Sequence, residues 1–170
     1  MTRETGRPIG QARGPGVLER FVAAAERLAA LAEKGPGLGS DAARGAAEIL
    51  TALQLALSDV HSAFLILPEV REVGHAPPDE ANFAASRQVY ERWRRISPRL
   101  ADALAGVYRD LVDGLELHRR GTPADREAAV WAWQSLYWQH WGGELLRAQQ
   151  AIHRLASRER FDRALDGSDG

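Results

Sequence analysis

Residues 131–142 read Trp131-Ala132-Trp133-Gln134-Ser135-Leu136-Tyr137-Trp138-Gln139-His140-Trp141-Gly142, and they hold four of the five tryptophans in a chain of 170 residues. At about 100° per residue, this stretch and its continuation lay out as a helix. Val130, Trp133, Tyr137, Trp141, Leu145, Ala148, Ile152 and Leu155 form one broad apolar arc. Trp131 and Trp138 sit on its far edge. His140 and Glu144, four residues apart, sit on its near edge beside Trp133 and Tyr137. Gly142-Gly143 costs about 1 kcal/mol per glycine relative to alanine, a loss tolerated where a helix or a ligand comes close. The spacing predicts one helix from Pro123 to about Arg158.

Upstream, the same periodicity repeats between glycine and proline stops. Leu18, Phe21, Val22, Ala25, Leu28 and Ala32 mark a helix from Val17 to Lys34, ended by Gly35-Pro36-Gly37. Ser40 or Asp41 caps a second helix reaching about Leu67, with Ile49, Leu53, Val60, Phe64 and Leu67 in its stripe. After an irregular stretch from Pro68 to Pro78, Asp79 caps a third helix reaching Ile96. Pro98 opens a fourth, with Leu100, Leu104, Val107, Leu111 and Leu115 inward, ending near His118. Ser97-Pro98 is read either as a kink or as a chain reversal. Nothing alternates at period two long enough for a strand. The fold class is all-α, an antiparallel bundle of four or five helices. Its domain spans residues 17–160, between a disordered leader (1–16) and a disordered tail (161–170).

Composition narrows the function classes. The hydrophobic fraction is 45% and the charged fraction 26%, ordinary for a globular domain. The chain has no cysteine, which removes disulfides, thiolate nucleophiles and cysteine-held metals and fits a reducing compartment. The net charge is -1, so no global field draws the chain to nucleic acid or to an acidic membrane. Arg92, Arg94, Arg95 and Arg99 around Trp93 are the most basic stretch, diluted by Glu91 and Asp102. With one lysine against 21 arginines in the whole chain, base composition accounts for the run better than phosphate binding does.

Two segments go beyond a generic bundle: Leu100–Leu115, containing Tyr108-Arg109-Asp110-Leu111, and Trp131–Gly142 with Ala148–Leu155 after it. Together they resemble a bacterial family known only as a domain of unknown function. In that family a Tyr-Arg-Asp-Leu helix precedes a Trp-x-Trp…His-Trp-Gly helix. The matching residues are Tyr108, Arg109, Asp110, Leu111, Trp131, Trp133, His140, Trp141 and Gly142. The likeness is good over about 98–156, loose over 45–96 and absent from the first 40 residues. It implies a helical, cytoplasmic bacterial protein and no known reaction. Glu144 stands near where the family pattern has a second histidine, which weighs against a shared metal site.

Two functions compete. The leading expectation is a non-catalytic protein-interaction or regulatory module, with a protein partner or as a homodimer, anchored by exposed tryptophan. The alternative is a small-molecule site or an enzyme. There His140 is the base, Glu144 its orienter, and Trp133, Tyr137 and Trp141 the walls. Tyr108, Asp110 and His61 are further candidates for ligand contact. No metal or cofactor is expected. The Glu-x-x-His pairs of a diiron bundle are missing, as are phosphate loops and nucleophile elbows. His61 and His140 fall at similar heights if Ser97-Pro98 is a kink, and separate if it is a reversal.

Overall fold

The computed structural model describes residues 16–36, 42–71 and 80–166. Among the described residues six α-helices run in order: α1 (Gly16–Lys34), α2 (Ala42–Phe64), α3 (Glu80–Trp93), α4 (Pro98–Arg120), α5 (Pro123–Leu136) and α6 (Gly142–Asp166). A π-helical turn, Tyr137–Trp141, joins α5 to α6 without a break, so residues 123–166 form one continuous helical arm. No strand occurs among the described residues, and none of their helices is long and apolar enough to cross a membrane. The expected caps Ser40, Asp41 and Asp79, and the expected leader up to Pro15, lie outside the described residues. The last helix reaches Asp166, well into the expected tail, because no helix breaker occurs before Gly167.

Local chemistry sets the ends. Gly35 stops α1 with φ 65°, donating its N–H to the Leu31 carbonyl. It also lies against Arg92 of α3, where a Cβ would come within 3.2 Å of the arginine Cβ. The Ser97 hydroxyl accepts the Leu100 N–H, and Pro98 begins α4 with the φ a helix needs. Gly121 closes α4 at φ 86°, and Thr122 caps α5 one residue later.

Ser97-Pro98 is a chain reversal. Asn82, near the start of α3, donates to Asp113 and Glu116, near the end of α4, at 2.6 and 3.1 Å. The two helices are therefore antiparallel neighbours. α4 is the hub, packing against α1, α3, α5 and α6. Its inner face carries Leu100, Leu104, Val107, Leu111 and Leu115, as the periodicity predicts.

Tryptophan supplies much of the interior. Trp93, Trp133 and Trp141 are completely buried. Each indole N–H finds a main-chain carbonyl: Trp93 donates to Ala32 (2.8 Å), Trp133 to Leu111 (3.1 Å) and Trp141 to Trp133 (2.9 Å). A buried indole left unpaired would cost about 1–3 kcal/mol, so these bonds fix where each ring can lie. Gly114 lets α4 touch α5, since a Cβ there would overlap the Trp133 ring nitrogen at 2.1 Å.

The π turn departs from the uniform helix predicted from Pro123 onward, and the spacing explains it. Trp133, Tyr137, Trp141 and Leu145 follow one another in steps of four, yet all are buried. In an α-helix each such step drifts about 40° around the axis. One wider turn, in which the Gly142 N–H reaches back five residues to the Tyr137 carbonyl, brings the row back to face the core.

Candidate functional site

His140 projects from the π turn towards α4. Its Nδ1 lies 2.5 Å from Oδ2 of Asp110, a residue only 3% exposed. An ionised carboxylate only accepts hydrogen bonds, so this contact places the imidazole proton on Nδ1. The other nitrogen, Nε2, faces Oε1 of Glu144 at 3.8 Å, beyond direct hydrogen-bond range. The histidine side chain is 36% exposed, so a buried acid orients a ring that solvent reaches.

Arg109 completes the arrangement. The helical wheel points it to solvent. The structure instead folds it back, with Nε donating to Oδ1 of Asp110 at 3.1 Å and its guanidinium 5.1 Å from the centre of the Phe83 ring. Its three-methylene stem allows this reach, which a wheel of Cα positions does not register. Both Asp110 oxygens are thus engaged, one by Arg109 and one by His140. The second guanidinium nitrogen sits 3.4 Å from Nδ1; with the Nδ1 proton given to Asp110, this is a contact between two donors and no hydrogen bond.

Glu144, in the first turn of α6, is 8% exposed. Its Oε1 accepts from Arg147 at 2.8 Å, while its buried Oε2 has no hydrogen-bond partner among the described residues. Gly106 makes room for the pair. A Cβ there would lie 3.0 Å from the Glu144 side chain and 3.3 Å from His140 Cε1.

The other expected residues lie elsewhere. Trp133 and Trp141 are interior, packed on Phe21 and Phe64. Tyr137 stacks on Phe64 with ring centres 4.1 Å apart, and its hydroxyl meets Nε2 of His61 at 2.8 Å. Burial pushes the Tyr137 phenol above its ordinary pKa. His61 therefore pairs with the arm's tyrosine, while His140 pairs with Asp110. Tyr108 turns away towards α1 and donates to Glu33 at 2.7 Å. Burial first, and then that carboxylate, push its pKa far above the usual phenol range. The structure thus brings together His140, Asp110 and Glu144 from the expected set, and adds Arg109 and Arg147.

A groove of about 750 Å³ opens beside Glu144, between the start of α4 and the middle of α6. Arg99, Arg147, Arg154 and Arg158 line it. Sequence reading did not assemble these four. The available signal was the spacing of Arg147, Arg154 and Arg158 at seven and four residues, which puts them on one helix face. Among the described residues, no group of three or more histidine or carboxylate side chains is disposed to hold a metal ion.

This architecture defines an all-helical domain with a carboxylate-held histidine on a π turn. The family model described as "Domain of unknown function (DUF5063)" matches residues 79–158, from α3 to the last arginine of the groove, in keeping with the resemblance seen in the sequence. The chain is similar in fold to protein BF1032 from Bacteroides fragilis, known from a structural-genomics crystal structure. The two superpose with a TM-score of 0.70 at 16% identity, over 84% of this chain and 95% of that one. No curated protein matches the chain.

Proposed function

We propose that this chain is a small-molecule-binding helical module whose working group is His140, equipped for proton transfer. The observation that supports it most is the 2.5 Å contact between Nδ1 and the buried Asp110. Burying a carboxylate is costly unless it is paired, and a salt bridge to Arg109 alone would satisfy only one of its oxygens. The second oxygen fixes the histidine tautomer, which leaves Nε2 as a lone-pair base facing Glu144 on a partly exposed ring. When Nε2 takes a proton, Asp110 and Glu144 both stabilise the resulting imidazolium. The cytoplasmic setting belongs to the same proposal.

A tryptophan-fluorescence screen of the full chain against metabolites tests this reading. A saturable response that weakens at least about tenfold in His140→Ala and survives in Trp138→Ala supports it. A ligand response indifferent to His140→Ala removes the histidine from the role.

One observation favours a second reading, the interaction module. Trp138 is 79% exposed, next to the buried Tyr137 ring. A partner that covers Trp138 would blue-shift its emission. Loss of that binding in Trp138→Ala, with His140→Ala still competent, would favour this reading over the first.

A further inference from the structure

We propose that the arginine-lined groove between α4 and α6 is a binding site for a small polyanion, a ligand carrying a phosphate, a diphosphate or two or more carboxylates. Its volume of about 750 Å³ suits a compact metabolite. Its charge runs against that of the molecule. The chain as a whole carries -1, whereas the groove gathers Arg99, Arg147, Arg154 and Arg158 against only Asp102 and Glu144.

The arginines are not used alike. Arg147 is held by Glu144 at 2.8 Å. Among the described residues, no carboxylate pairs with Arg99, Arg154 or Arg158. Three arginines from two helices therefore line one groove without a carboxylate partner, and guanidinium forks match the oxygens of phosphate and carboxylate. The small side chains of Ala103 and Ala151 also line the groove. The start of α4 adds the positive end of a helix dipole on the same side.

The size of the site sets the class of anion. Residues 144 to 158 of α6 span roughly 21 Å along the axis, and Asp102 and Glu144 interrupt the positive surface. A nucleic-acid backbone needs a longer unbroken stripe. A small ligand needs only one cluster, and here Glu144 adjoins it. The groove is a separate site from His140 Nε2, joined to it through the Glu144 side chain.

Isothermal titration of the full chain at low ionic strength, with inorganic pyrophosphate and with citrate as probes, tests the proposal. Saturable one-to-one binding of at least one probe is expected. Arg154→Ala and Arg99→Ala should each weaken it by about tenfold or more, as loss of a charge-assisted contact requires, while the exposed Arg126→Ala changes nothing. Arg154→Lys should recover part of the affinity. His140→Ala should leave binding within about threefold, so failure here and failure of the proton-transfer reading are distinguishable. Binding of neither probe, binding unaffected by the two arginine variants, or binding of a polynucleotide alone would overturn the proposal. Circular dichroism of each variant confirms that the helices remain.

Discussion

Gly114→Ala is the sharpest test of how the tryptophan arm is seated. A methyl group there would lie 2.1 Å from Nε1 and 2.3 Å from Cε2 of Trp133, where carbon contacts settle near about 3.5–4.0 Å. The ring would have to retreat by more than about 1 Å. It has nowhere to go, being fully buried with Phe21 edge-on at 4.8 Å. Retreat would also stretch the indole bond to the Leu111 carbonyl. Overpacking costs about 1–3 kcal/mol and a strained or lost buried hydrogen bond a similar amount. The helix gains about 1 kcal/mol from replacing glycine. The net loss is about 1–5 kcal/mol, or roughly 2–20 °C in Tm for a chain of this size. Urea unfolding followed by circular dichroism measures it, with Gly45→Ala as control. Nothing lies within 4 Å of a Cβ at Gly45, so that variant gains up to about 1 kcal/mol. A Gly114→Ala protein as stable as the parent would refute the packing described for α4 and α5.

The two adjacent glycines of the arm separate in the same assay. Gly142→Ala drives a Cβ to 2.6 Å from the Tyr137 carbonyl and loses about 2 kcal/mol or more, whereas Gly143→Ala meets nothing closer than 3.8 Å and gains about 0.5–1 kcal/mol. Tyr108→Phe removes the bond to Glu33 and costs about 1–2 kcal/mol in urea unfolding at neutral pH. Burial, reinforced by Asp110 and Glu116, holds the Asp113 carboxyl above its ordinary range despite the Asn82 bond. The stability this gives is complete below the unfolded value and is lost as pH rises through the folded one. Asp113→Asn should therefore raise Tm at pH 7 and leave it nearly unchanged near pH 3, as thermal scans at the two pH values would show. Trp138→Ala, at an exposed position, should shift unfolding by no more than about 0.5 kcal/mol.

The helices and their stops were legible because glycine and proline act locally. Gly35, Pro98 and Pro123 each mark an end in the sequence and in the structure. Ser97-Pro98 was ambiguous because proline suits a first helical turn whether the chain kinks or reverses. The reversal depends on packing between distant residues, visible in the Asn82 bonds to Asp113 and Glu116. The π turn was written into the repeated four-residue steps and the crowded Gly142, yet an even wheel averages such drift away. The approach of Glu144 to His140 followed from helical spacing alone. That Asp110 grips the ring needed the register of α4 against the arm, and the family resemblance only marked the residue. Arg99 lines the same groove as Arg154 and Arg158 from a different helix, a juxtaposition that one-dimensional spacing does not contain.

The most direct measurement of the site is the long-range proton–nitrogen NMR correlation of the His140 imidazole, taken where the ring is neutral. Asp110 as an acceptor requires the proton on Nδ1, with Nε2 showing the shift of an unprotonated nitrogen, and Asp110→Asn should disturb that pattern. A wild-type ring protonated on Nε2, or a spectrum identical in the two proteins, would contradict the histidine's assigned role.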